Sequence, residues 1–140
     1  MLTETGSTTD AGPLVAELLD RWRENPVTFA SPWLAYAAPS IFALGRAEHL
    51  AKTAKLAPMR TRWLDAALAL AGNPAEAARI YAQIGSLPDE AHARLRAAEA
   101  LAAAGRRQEA DEELSLALDF YRAVGATRYV REGEVLLAAR

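Results

Sequence analysis

The chain has 140 residues, of which 51% are hydrophobic and only 7% aromatic. Alanine supplies much of that hydrophobic fraction and is the best helix former, so the composition favours an all-α fold. A net charge of −2 at pH 7 argues against a general nucleic-acid binder, which needs a basic excess to neutralise phosphates, and the lack of cysteine excludes disulfides and thiolate metal sites.

The sequence also argues against a membrane protein. No apolar run approaches the roughly 18–20 residues that a membrane-spanning helix needs. The first residues, Met1 to Ser7, have neither the basic start nor the apolar core of a signal peptide. We therefore expect a cytoplasmic protein.

The first periodic segment is Pro13–Glu24. Residues 1–11, by contrast, are rich in Thr, Gly and Ser and have no periodicity, so we predict a disordered tail there. The apolar residues of Pro13–Glu24 recur at helical spacing and form one stripe: Val15, Leu18, Leu19 and Trp22. We predict a helix that ends before Pro26.

The next segment predicts an irregular pair of helices. Ser31-Pro32 is a typical helix start, with a capping serine and a proline in the first turn. Pro39 lies inside the following apolar stripe and is expected to kink or split that helix, which Gly45 closes. A short helix over Arg46–Leu56 follows, so residues 12–56 read as degenerate hairpins.

The middle of the chain has clearer start and stop signals. We predict a helix from Pro58 to Ala71, and then a new start at Asn73-Pro74-Ala75-Glu76, which offers an N-cap, a first-turn proline and a capping-box glutamate. Gly85 is a typical C-terminal stop. Further helices are predicted from Ser86 to Ala104, over Arg107–Val124 and over Arg128–Ala139, which gives about seven or eight in all.

Two copies of one pattern lie in the second half of the chain. Residues 67–77 align with residues 100–110, and Gly72 and Gly105 are 33 residues apart. A period of this length with helices on both sides is typical of stacked helical hairpins. We predict an all-α short solenoid of antiparallel helix hairpins, with one domain over residues 12–140, two repeat-like hairpins over 58–125 and a capping helix over 127–139.

This pattern resembles the tetratricopeptide repeat. That family places a glycine at the hairpin turn, a small residue early in the second helix and a large apolar residue one turn later. The matching positions are Gly72, Ala77 and Tyr81 in the first copy and Gly105, Ala110 and Leu114 in the second. The family's tryptophan is absent at the aligned sites, Thr61 and Arg94. The resemblance implies that the first helix of each hairpin lines a concave groove.

A second resemblance concerns residues 82–91 and 120–127. These runs are similar to the C-terminal helical arrays of bacterial signalling proteins that carry a cyclase or a regulatory ATPase module upstream. The excess of arginine over lysine, 14 to 2, fits a GC-rich source. Because the chain has no Gly-rich phosphate loop, the resemblance implies only the sensory or scaffolding end of such a protein.

No residue set points to catalysis. His49 and His92 lie far apart and have no partners at metal-ligand spacing. The run Asp111-Glu112-Glu113 points in three directions on a helix, so we interpret it, like Glu132, as a solvated surface. The serines lack a histidine partner. We predict no catalytic residues, no metal, no cofactor and no enzyme activity.

The candidate binding residues lie on the first helices of the two hairpins. His92, Arg96 and Glu99 recur at i, i+4 and i+7, and Arg62 and Trp63 occupy the matching place one hairpin earlier. Two arginines side by side across adjacent hairpins could hold a carboxylate, such as a peptide C-terminus, by bidentate pairing. The alternative is a solvated groove with no ligand.

Two functions of different classes follow. The first is a non-catalytic interaction or regulatory scaffold that binds a peptide or partner protein in the groove. The second is a small-molecule sensor with an apolar pocket near Trp33, Tyr36 and Trp63, although tryptophans on apolar stripes are more often core residues. Alanine-rich stripes on the terminal helices can also pack on a second copy, so a homodimer is an alternative to a monomer.

Overall fold

The computed structural model describes residues 8–25 and 34–138, and these residues form helices and no strand. The all-α prediction with about eight helices is thereby confirmed. The helices in the described ranges are α1 (Thr8–Glu24), α2 (Leu34–Ala43), α3 (Ala47–Ala54), α4 (Arg62–Gly72), α5 (Pro74–Ile84), α6 (Leu87–Ala103), α7 (Arg107–Ala123) and α8 (Thr127–Ala138).

The chain forms two compact units, Met1–Ala71 and Gly72–Arg140. We predicted one domain over residues 12–140, and the boundary between the units falls within that range, at the glycine of the first repeat copy. We call them the N-terminal unit and the C-terminal unit. None of the described helices is long and apolar enough to cross a membrane.

The N-terminal unit departs from the predictions at two helix starts. Helix α1 begins at Thr8, inside the segment predicted to be disordered, because Ala11 is buried and extends the apolar stripe by one turn. Helix α4 begins at Arg62 and not at Pro58, since the hydroxyl oxygen of Thr61 accepts the backbone N–H of Leu64 at 3.3 Å and caps the first turn. Residues 1–7 and the predicted start at Ser31-Pro32 lie outside the described residues.

The core of the N-terminal unit comes from all four of its helices. Trp22 is only 3% exposed, which confirms its predicted place in the core, and Leu19, Leu34, Ile41 and Leu50 surround the same cluster. Helix α2 continues through Pro39, so the predicted split does not occur.

Three local signals in the C-terminal unit, Asn73, Pro74 and Gly85, act as predicted. The side-chain oxygen of Asn73 accepts the backbone N–H of Glu76 at 3.2 Å, and Pro74 occupies the first turn of α5. Gly85 adopts the left-handed conformation with φ of 84°, which lets the N–H of Ser86 reach the carbonyl oxygen of Tyr81 at 3.1 Å.

The two aligned glycines do not have the same backbone conformation. Gly105 has φ of 76° and turns the chain between α6 and α7, whereas Gly72 is the last residue of α4 and is not among the glycines with positive φ. The two glycines that the 33-residue period relates therefore lie at helix connections with different backbone conformations. Within the C-terminal unit, Leu95, Leu114, Leu118 and Tyr121 form a core that α8 covers with partly buried side chains.

Candidate protein-interaction site

The five predicted binding residues divide between the two units. Arg62 and Trp63 lie in the first turn of α4 in the N-terminal unit, Arg62 exposed and Trp63 half-buried. His92, Arg96 and Glu99 lie on α6 in the C-terminal unit, and all three are half-buried. The pairing of Arg62 with Arg96 across adjacent hairpins stays a prediction.

Arg96 is held between two carboxylates. One of its terminal nitrogens forms an ion pair with Glu99 at 2.9 Å, one turn along α6, and the other donates a hydrogen bond to Glu132 of α8. The Arg96 Nε is buried and has no hydrogen-bond partner among the described residues. The side chains of Arg96 and Glu132 are each 32% exposed, so the cluster reaches solvent.

The charges around Arg96 alter the carboxylate binding that the sequence predicted for it. Burial raises the pKa of Glu99 above its ordinary value; Arg96 opposes the shift, and the nearby Glu132 adds to it. Because two carboxylates already balance the guanidinium, a carboxylate ligand has to displace one of them. Glu132, which we predicted to be a solvated surface residue, is therefore part of the site.

An aromatic cluster lies one turn before Arg96. The rings of Tyr121 and Tyr129 stack with centroids 4.7 Å apart, and the His92 ring meets the edge of Tyr129 at 6.5 Å. Burial raises the pKa of Tyr121, and the neighbouring Tyr129 adds to that shift. His92 therefore faces α8 through an aromatic contact.

Helix α8 approaches α7 closely at Gly133, the one buried residue of α8 within the described structure. A Cβ atom at this position would lie 2.7 Å from Leu118 Cδ2 and 3.1 Å from Leu114 Cδ1. Sequence reasoning missed Gly133, although an isolated glycine within a helical pattern often marks close packing.

A second arginine on α6 was also missed. Arg94 donates a hydrogen bond from Nε to Glu90 on the same helix at 2.9 Å and one from a terminal nitrogen to Glu113 of α7 at 2.8 Å. These three side chains are 17–22% exposed, so this cluster is more buried than that of Arg96. Glu113 was predicted to be solvated; the spacing of Glu90 and Arg94 was a usable signal, but nothing local in the sequence identifies Glu113.

An open cleft of about 290 Å³ lies where α8 meets the turn between α6 and α7. Its walls are mostly apolar, and the lining residues are Ala102, Arg107, Ala110, Asp111, Leu114 and Leu136. His92 contacts Tyr129, Arg96 pairs with Glu132, and Ala102 and Leu136 line the same cleft, so the residue numbers rise together on α6 and α8. We infer that the two helices run parallel, and we call this series of facing residues the α6–α8 seam.

Two further predictions concern metal binding and the small-molecule pocket. In the part of the chain that is described, no group of three or more His, Asp or Glu residues could hold a metal ion. Trp33, named for the small-molecule pocket, lies outside the described residues. No family model, curated protein or solved structure matches this chain. The tetratricopeptide-like assignment and the likeness to bacterial signalling arrays therefore stay predictions.

Proposed function

We propose that this protein is a non-catalytic interaction or regulatory scaffold that binds a peptide or partner protein along the first helix of the second hairpin, α6. The observation that carries the proposal is the α6–α8 seam, which places a stacked aromatic pair, a partly exposed arginine cluster and an open apolar cleft in one line. Aromatic and arginine anchors beside an apolar cleft are typical of the residues that dominate binding at protein interfaces.

The charged side chains on α6 are arranged in a way that favours binding over catalysis. Both arginines of α6 are already held in ion pairs: Arg94 with Glu90 and Glu113, and Arg96 with Glu99 and Glu132. A general base or nucleophile needs a free partner within hydrogen-bond reach of its proton. We further propose that the protein acts in the cytoplasm as the scaffolding part of a bacterial signalling system, as the second sequence resemblance implies.

The test is capture of a partner by the intact chain from lysate of the source cell, followed by identification and titration with the purified partner. Arg96→Ala removes the centre of the seam. Arg106→Ala is the matched control, because Arg106 is exposed and pairs locally with Glu109. Arg62→Ala tests whether the N-terminal unit takes part.

The expected result is a partner that binds the wild type and Arg106→Ala but is lost with Arg96→Ala, while circular dichroism shows that all variants remain folded. A partner that binds Arg96→Ala as tightly as the wild type refutes the placement of the site on α6. A chain that retains no partner but gains thermal stability from a small molecule favours the sensor alternative.

A further inference from the structure

Helix α8 is the most weakly buried helix of the C-terminal unit. It buries only Gly133 fully, whereas α6 and α7 each bury five residues. Val135 of α8 is 69% exposed, and a three-residue turn joins α8 to α7. Because local opening starts where few apolar groups are buried, α8 is the helix of this unit that separates from the others at the lowest cost.

The surface beneath α8 is nevertheless built for a particular kind of helix. Tyr121 and His92 receive the ring of Tyr129, Arg96 receives the carboxylate of Glu132, and Leu114 with Leu118 leave room only for a glycine at position 133. We call this surface of α6 and α7 the α8 seat. It selects a helix by shape, charge and stacking together.

Helix α8 does not fill this seat. The open cleft of about 290 Å³ borders Leu136 of α8. The C-terminal half of α8 therefore leaves room between the Leu136 side chain and those of Ala110 and Leu114. Covering apolar surface that is otherwise exposed to water is favourable, and a larger side chain covers more of it. A helix with a bulkier residue at this position therefore gains contacts that α8 lacks.

We propose that the α8 seat is the partner-binding surface and that its partner is an amphipathic helix which displaces α8. The partner carries a tyrosine, a glutamate three positions later, a glycine directly after it and a bulky apolar residue three positions beyond the glycine. This proposal rests on the proposed function and adds to it the class of partner and a built-in competitor. The partner supplies a carboxylate to Arg96 in place of that of Glu132.

The competition has a measurable consequence. When a resident segment occupies a site, the apparent affinity of a competitor is its intrinsic affinity multiplied by the fraction of molecules in which the site is open. Weakening α8 within the chain therefore tightens the binding of a partner helix. Weakening the contact that the partner helix makes with Arg96 lowers the affinity of the partner helix.

The probe is a fluorescent synthetic peptide with the sequence of residues 126–138 and the substitution Leu136→Trp, titrated into the intact chain. On the wild-type chain we expect Glu132→Gln in the peptide to weaken binding about threefold, as for a partly exposed ion pair. Glu132→Gln in the chain should tighten the binding of the probe that retains Glu132 about threefold. Glu109→Gln in the chain is the control, because Glu109 is exposed and pairs locally with Arg106, away from the contacts of α8.

Two further measurements complete the test. In an Arg96→Ala chain the probe with Glu132 and the probe with Glu132→Gln should bind equally tightly, because their difference in affinity depends on the ion pair with Arg96. Hydrogen exchange should show the amides of α8 exchanging faster when the probe is bound, while those of α6 and α7 stay protected.

A probe that does not bind, or one that binds while α8 stays protected, overturns the inference. An identified partner that is lost with Arg96→Ala, but whose affinity is unchanged by Glu132→Gln in the chain, leaves the proposed function intact and refutes displacement of α8. If Arg96→Ala also leaves partner binding unchanged, both proposals fail.

Discussion

Gly133→Ala tests the close packing of α8 on α7. In an unhindered helix this substitution stabilises by up to about 1 kcal/mol, because alanine is the better helix former. At position 133 the new methyl group would lie 2.7 Å from Leu118 Cδ2 and 3.2 Å from Leu118 Cγ. Leu118 is 2% exposed and has little room to move. Overpacking a buried contact costs roughly 1–3 kcal/mol, so we expect a net loss of about 1 kcal/mol.

The assay is urea denaturation followed by far-ultraviolet circular dichroism, with Gly72→Ala as the matched control. Gly72 also lies in a helix, its φ is not positive, and outside its chain neighbours and the backbone of its own helix no atom lies within 4 Å of the added Cβ. The control should be neutral or slightly stabilising. Tryptophan fluorescence reports separately on the N-terminal unit, because Trp22, Trp33 and Trp63 all precede Gly72.

A double-mutant cycle identifies the contact. Leu118→Ala alone should cost about 2–5 kcal/mol, as large-to-small substitutions in cores do. In the Gly133→Ala background it should cost about 1 kcal/mol less, since the shortened side chain relieves the clash. A Gly133→Ala protein as stable as the Gly72→Ala control, with no coupling to Leu118, would refute the close approach of α8 to α7.

Three further predictions concern electrostatics and turns. Burial raises the pKa of Glu99, so protonation of Glu99 favours the folded state, and stability is lost as pH rises through the folded pKa. Glu99→Gln should therefore be more stable than the wild type at pH 7, and the difference should vanish below about pH 4. A stability advantage of Glu99→Gln that grows as pH falls would contradict this sign. Gly85→Ala should cost about 1–2 kcal/mol in urea denaturation, because φ of 84° is left-handed, and a cost no larger than that of Gly72→Ala would contradict the strain. Arg94→Ala leaves two half-buried carboxylates without their cation and should cost about 1–3 kcal/mol. Arg106→Ala breaks only an exposed pair and should lower the melting temperature less than Arg94→Ala does. Equal thermal shifts for the two variants would count against the burial argument.

The sequence by itself determined the local features of this protein. Alanine content and apolar spacing predicted helices, and Asn73, Pro74 and Gly85 predicted where one of them, α5, begins and ends. Such features are predictable because a cap or a left-handed glycine depends on atoms within about four residues along the chain. The start of α4 was missed because Pro58 is the more conspicuous signal, while Thr61 provides the cap.

Only the tertiary structure decided which side chains meet. Glu113 reaches Arg94 from α7, 19 residues along the chain, and Glu132 reaches Arg96 from α8, 36 residues along. Helical periodicity places each carboxylate on a face of its own helix but does not specify the neighbouring helix or its register. Both glutamates were therefore taken for solvated residues. The α6–α8 seam exists because the turn at residues 124–126 and the missing side chain of Gly133 let α8 pack closely on α7 beside α6.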